Sequence, residues 1–149
     1  MKSIGLSNFI LNKFCKLILG NSFLGVYPCD AYPIKFFLLN TSSVIFNLSP
    51  HYENGSHFVA IYKKGNVLYY FDSFGKKCRN KHIRKFLNKK KFKFNFNRIK
   101  LQSPNSYFCG LFCLAFLIFC QKNNKPLFNF VKMFNKTCLN ENDVIVTKY

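Results

Sequence analysis

The chain has no tryptophan and only five acidic residues among 149. Three of the acids, Asp30, Glu53 and Asp72, precede residue 140. Any chemistry that needs a carboxylate therefore has very few places to find one. Cys-x-x-Cys spacing is missing, and His51, His57 and His82 lie far in sequence from any close cysteine pair, which leaves no metal motif. A secretory signal is also missing: Lys13 and Lys16 interrupt the apolar N-terminal stretch, and no small-residue cleavage site follows. The longest apolar run, Leu111 to Cys120, is ten residues, too short for a bilayer and suited to a buried helix. No repeats or linkers interrupt the chain.

What is present points to one α+β domain spanning 1–149. Hydrophobic residues make up 49% of it, enough for a real core. The 20 phenylalanines recur beside Lys, Asn and Ile, as an AT-rich genome would give, and are not read as a binding feature. Seven cysteines, an odd number without a signal peptide, fit a reducing compartment with mostly free thiols. The formal charge is +18. Such a surface attracts polyanions, nucleic acid first, unless the basic residues serve only for solubility. Lys76, Lys77, Arg79, Lys81, Arg84, Lys85, Lys89, Lys90, Lys91 and Lys93 crowd one stretch.

Apolar spacing predicts an amphipathic helix over residues 4–19, stopped by Gly20-Asn21. A loop with Gly25, Pro28 and Pro33 follows, then short strands at Ile34–Leu39 and Ser43–Leu48. His57–Tyr62 and Val67–Asp72 flank Lys63-Lys64-Gly65-Asn66, a hairpin signal. Residues 79–90 suit a basic helix that buries Ile83, Phe86 and Leu87. Alternating Phe92, Phe94 and Phe96 mark a strand over 91–97 with one buried face. A helix is expected from Cys109 to Gln121, and a last one from Pro126 to about Cys138.

The segment Gln102-Ser-Pro-Asn-Ser-Tyr-Phe-Cys109-Gly110-Leu-Phe-Cys113 delivers a cysteine to the first turn of an apolar helix. Free backbone N–H groups and the helix dipole favour a thiolate there. Gly110 would let a substrate backbone approach. By position alone, a buried cysteine in a helix that also holds Cys113 and Cys120 is the more ordinary reading. A nucleophile needs a base, and His57, at the mouth of an apolar strand after Asn54-Gly55-Ser56, is the candidate. His82 sits among cations and His51 in a Pro-containing loop. A base needs an orienter, and Asp72 ends the strand paired with that of His57. As an isolated residue, Asp72 before Ser-Phe-Gly would be read as a turn former. Together, nucleophile, base, orienter and helix N-terminus make a Cys-His-Asp constellation.

These residues resemble the adenovirus-type cysteine protease (adenain-like) family. The resemblance rests on Gln102-Ser-Pro-Asn-Ser-Tyr-Phe-Cys109-Gly-Leu-Phe-Cys113, Gly55-Ser-His57-Phe-Val-Ala, Tyr70-Phe-Asp72-Ser-Phe-Gly75 and Phe23-Leu-Gly-Val-Tyr27, in order over roughly residues 5–125. It implies a permuted papain-like fold, a central mostly antiparallel sheet packed by helices, shared with the SUMO and ubiquitin-like-protein proteases. It also implies that Gln102 joins the Cys109 N–H in an oxyanion hole; the residues alone leave Asn105 as an equal choice. The activity implied is a virus-encoded endopeptidase that cleaves virion precursor polypeptides at Gly-containing sites, as a monomer inside the virion and the host nucleus. The alternatives are an isopeptidase of ubiquitin-like modifiers and a non-catalytic basic DNA-binding protein. DNA is the activator the resemblance suggests; no metal and no membrane partner are expected. Three departures stand out. Phe58 replaces the tryptophan that usually follows the histidine, and Asp72 stands where the adenovirus enzyme has Glu. Residues 79–108 also contain no cysteine to hold a disulfide-linked peptide cofactor, so that cofactor is not carried over, with Cys78 a weak substitute.

Overall fold

The computed structural model describes residues 7–49, 57–89, 91–123 and 126–148. Among the described residues, five helices (α1 Asn8–Leu19, α2 Lys81–Leu87, α3 Cys109–Cys120, α4 Pro126–Lys132, α5 Asn140–Val146) surround a five-stranded sheet, with α4 and α5 packed against α3. Its strands are β1 Phe23–Pro28, β2 Thr41–Asn47, β3 Phe58–Lys64, β4 Val67–Phe71 and β5 Lys93–Phe96, in spatial order β1-β2-β3-β4-β5. The antiparallel pairing expected of the sheet holds at its centre, between β2, β3 and β4. Both outer pairings, β1 with β2 and β4 with β5, are parallel.

Strand alternation divides the core between the two faces of the sheet. On β3, Phe58, Ala60 and Tyr62 join one apolar cluster with Leu11 and Cys15 of α1, Phe112 and Phe116 of α3 and Phe130 of α4. Val59 and Ile61, between them, face the other cluster, with Ile83, Phe86 and Leu87 of α2. Burying side chains of this size contributes roughly 1.5–3 kcal/mol each, and the phenylalanines do much of it. The Phe71 ring stacks on Phe116 at 4.7 Å, and Phe130 meets Phe71 edge-on at 5.4 Å. Helix α3 is apolar all round because it is enclosed on nearly every side, by the sheet on one face and helices on the others.

Several elements differ from the sequence reading. The helix over 4–19 is seen as α1, capped by Ser7, whose hydroxyl accepts from Ile10 N at 3.2 Å; residues 4–6 lie outside the described residues. The stretch assigned to a Gly/Pro loop contains β1, whose Gly25 sits at φ 138° where the ladder to β2 is irregular. Ile34–Phe37 is a 3-10 turn, not a strand. It buries only Phe36, and Ile34 is 82% exposed, so no alternating face exists to hold it in a sheet. Phe94, on the face of β5 assumed to be buried, is 40% exposed. The hairpin forms as expected, but Lys63 is buried, its ammonium donating to the carbonyls of Leu39 and Asn40. The last helix stops at Lys132, and the polar segment NENDVIV forms α5. No helix among the described residues is long and apolar enough to cross a membrane.

Candidate active site

The hairpin supplies the first half of the site. His57 directly precedes β3 and Asp72 directly follows β4, so antiparallel pairing brings the two side chains to the same end of the sheet. His57 Nε2 lies 2.8 Å from Asp72 Oδ1. That same oxygen accepts from Phe74 N at 2.8 Å, and Gly75 N donates to the Asp72 carbonyl at 2.8 Å. Asp72 is thus both a turn former and the histidine's partner. The turn presses against the strand-to-loop segment after β5. A Cβ on Gly75, at φ 67°, would fall 2.7 Å from the carbonyl carbon of Ile99, so only glycine fits.

Two residues not singled out by the sequence reading hold this half. Asn97 pairs with the Asp72 backbone in both directions: Asp72 N donates to Asn97 Oδ1 at 3.0 Å, and Asn97 Nδ2 donates to Asp72 O at 2.7 Å. Phe74 stacks on the His57 ring at 4.7 Å and 24°. The ring that covers the imidazole therefore comes from the acid's own turn, while Phe58, the residue after His57, is buried in the core.

The second half is the start of α3. Cys109 is its first residue and is partly exposed. Cys109 lies near enough to the His57 ring to act on its charge, and with Nε2 taken by Asp72 the Nδ1 edge is the one free for the sulfur. Burial pushes the His57 pKa down, but the hydrogen bonds from Asp72 and Cys109, with their charge, outweigh it and raise the value to about 9. That direction favours the charged ring, an imidazolium beside the Asp72 carboxylate.

Gln102 is almost fully buried at 1% exposure, whereas Asn105 is exposed in the turn. The Ser73 hydroxyl donates to Gln102 Oε1, and Gln102 Nε2 donates to Ser106 O at 2.8 Å. A carbonyl can only accept, so the Ser106 contact fixes which end of the amide is nitrogen and leaves its second N–H unspent on this partner. Leu101 N and Gln102 N both donate to Ser73 O, at 2.8 and 3.0 Å, which ties this loop to the Asp72 turn.

Other candidates fall elsewhere. Gly110 does not open a path for substrate: a Cβ there would meet Leu11 at 3.2 Å and Phe58 at 3.4 Å, so it permits close packing of α3. Cys113 is completely buried and Cys78 is half-buried beside Tyr70, and burial pushes both thiols up. His82 is the second residue of α2; His51 and the Asn54-Gly55-Ser56 turn lie outside the described residues. Among the described residues no group of three or more His, Cys, Asp or Glu could hold a metal ion.

The sequence matches no protein-family model and no curated protein. The structure matches a solved de-sumoylating protease with a TM-score of 0.50 and 14% identity, over 97% of this chain and 73% of that one. The chain has the papain-like protease fold in its α+β form.

Proposed function

We propose that the chain is a cysteine protease in which Cys109 is the nucleophile, His57 its acid and base, Asp72 the orienter and Gln102 an oxyanion donor. The observation that carries this reading is the 2.8 Å contact of the His57 imidazole with Asp72 Oδ1, made beside Cys109 at the N-terminus of a twelve-residue helix. Cys109 Sγ attacks the scissile carbonyl carbon. The oxyanion is held by backbone N–H groups at the start of α3 and the second N–H of Gln102. The C–N bond breaks as the His57 imidazolium gives its proton to the leaving amine, producing a thioester. Water, deprotonated by the now neutral His57, hydrolyses the thioester and restores the pair.

The substrate proposed is a virion precursor polypeptide cut at Gly-containing sites, by a monomer acting in the virion and host nucleus; the motif resemblance supports it. A second reading, removal of ubiquitin-like modifiers, is favoured by the fold shared with a de-sumoylating protease. Nucleic acid is the proposed activator. Lys81, Arg84 and Lys85 of α2 are exposed while Ile83, Phe86 and Leu87 are buried, which turns a basic face outward. Neither a metal nor a covalent peptide is assigned; the half-buried Cys78, its thiol pushed up by burial, is poorly suited to disulfide exchange. Hydrolysis of Gly-Gly-X peptides should be compared with release of a modifier from its conjugates. Cleavage of peptides and precursors alone supports the endopeptidase, release of modifier alone supports the isopeptidase, and neither with intact Cys109 overturns both.

A further inference from the structure

Helix α5 takes no part in the constellation just described, yet two adjacent residues on it grip both ends of the loop that carries Gln102. Asn142 is completely buried. Its Nδ2 donates to Leu101 O at 2.8 Å and to Asn135 O at 2.7 Å, while its Oδ1 accepts from Asn135 N at 2.7 Å. Leu101 is the residue before Gln102. At the other end, the Ser106 hydroxyl donates to Asp143 Oδ1 at 2.8 Å and accepts from Phe108 N at 3.2 Å. The Ser106 carbonyl accepts from Gln102 Nε2, and its N–H donates to Ser103 O at 3.0 Å.

We propose that Asp143 is a positioning residue for the oxyanion hole, acting through Ser106, with Asn142 fixing the other end of the same loop. An ionised carboxylate only accepts, so Asp143 fixes the direction of the Ser106 O–H. The hydroxyl's lone pairs then face the Phe108 N–H, immediately before Cys109. The hydrogen bond is charge-assisted and stronger than a neutral one. One carboxylate thereby holds both the carbonyl that orients the Gln102 amide and the chain entering α3. The chain has five acidic residues and 23 cations, yet this acid is committed to a serine hydroxyl. An acceptor placed here organises a loop that must present two donors to one oxygen, and misplacement of about 1 Å there can cost up to about 10²-fold in rate.

The inference rests on the protease reading, and its test separates the two. Hydrolysis of a peptidyl-Gly-Gly-aminocoumarin is measured for the full chain, Asp143→Ala, Asp143→Asn, Ser106→Ala, Gln102→Ala and the Gln102→Ala/Asp143→Ala double variant. Alkylation of Cys109 by iodoacetamide, which forms no oxyanion, is followed in parallel. Asp143→Ala should lower kcat by about tenfold or more with KM changed less than about twofold, and leave the alkylation rate unchanged. Ser106→Ala should reproduce it, Asp143→Asn should fall between it and the natural chain, and the effect should largely vanish in the Gln102→Ala background. An unchanged kcat in both Asp143→Ala and Ser106→Ala, alkylation falling in step with turnover, or a full additive loss in the double variant would overturn the positioning role while leaving the protease reading intact. Absence of hydrolysis by the natural chain, by contrast, removes the protease reading and this inference with it.

Discussion

The two halves of the site are built in opposite ways. His57 and Asp72 are 15 residues apart and meet because one hairpin pairs β3 with β4. The Gln102–Cys109 half depends on distant partners: Ser73 to Gln102 across 29 residues, Ser106 to Asp143 across 37 and Asn142 to Leu101 across 41. The His57–Asp72 half rests on strand pairing, with Asn97 as its one distant support, whereas the Gln102–Cys109 half is a loop held mainly by bonds to distant residues. Damage to the first should therefore show in proton transfer, and damage to the second in stabilisation of the oxyanion.

The largest effect is expected at the point where the halves meet. Cys109→Ala should abolish turnover, while Cys15→Ala, Cys29→Ala and Cys138→Ala retain it; full activity in Cys109→Ala would sink the reading. Within the hairpin half, Asp72→Asn should lower turnover by up to about 10⁴-fold, because the amide imposes the wrong tautomer and carries no charge. A loss of activity only in proportion to a loss of folded protein would make Asp72 structural.

The same substitution should also change how stability depends on pH. The folded His57 value of about 9 lies above an unfolded value near 6.5. Its contribution to stability is therefore complete below about pH 6.5 and lost as pH rises through about 9. Thermal melts across this window should show a decline that Asp72→Asn flattens; an equal slope in both would deny the ion pair. In the loop half, Gln102→Ala should lower kcat by roughly 10²–10³-fold with little change in KM. A loss confined to KM would remove Gln102 from the hole. Cys113→Ala, one helical turn into α3, should cost about 1–2 kcal/mol of stability and little turnover. The smallest effect on the site itself should come from nucleic acid. Duplex DNA should bind with a steep salt dependence and without sequence preference. Binding indifferent to salt, or unchanged after reversing Lys81, Arg84 and Lys85, would show that the basic face is not a DNA surface.

The same contrast explains what was legible in the sequence. Turn chemistry and strand alternation are local signals, so the hairpin that brings His57 to Asp72 and the start of α3 are legible directly. No local signal ranks Gln102 above Asn105, and only the motif resemblance favours it; burial and the Ser73 and Ser106 contacts separate the two in the fold. Phe74 and Asn97 were hidden for a related reason. One looks like an ordinary turn aromatic and the other like the end of a strand, and their contacts with His57 and Asp72 exist only once the sheet is assembled. Helix α5 carries a polar sequence with no strong apolar period, and its role lies in hydrogen bonds that span dozens of residues. Strand β1 was masked by glycine and proline because its pairing with β2 tolerates an irregular ladder at Gly25.

Residue-resolved alkylation at neutral pH reads out whether His57 activates Cys109. Limiting iodoacetamide is added to the natural chain and to His57→Ala, and modification of each of the seven cysteines is followed by peptide mapping. By exposure alone Cys138 should react first, since Cys109 is only partly exposed. Paired with His57, Cys109 should instead react faster than Cys138 in the natural chain and lose that advantage in His57→Ala. Cys138 reacting first in the natural chain, or a Cys109 rate indifferent to His57, would contradict a Cys109–His57 nucleophile pair.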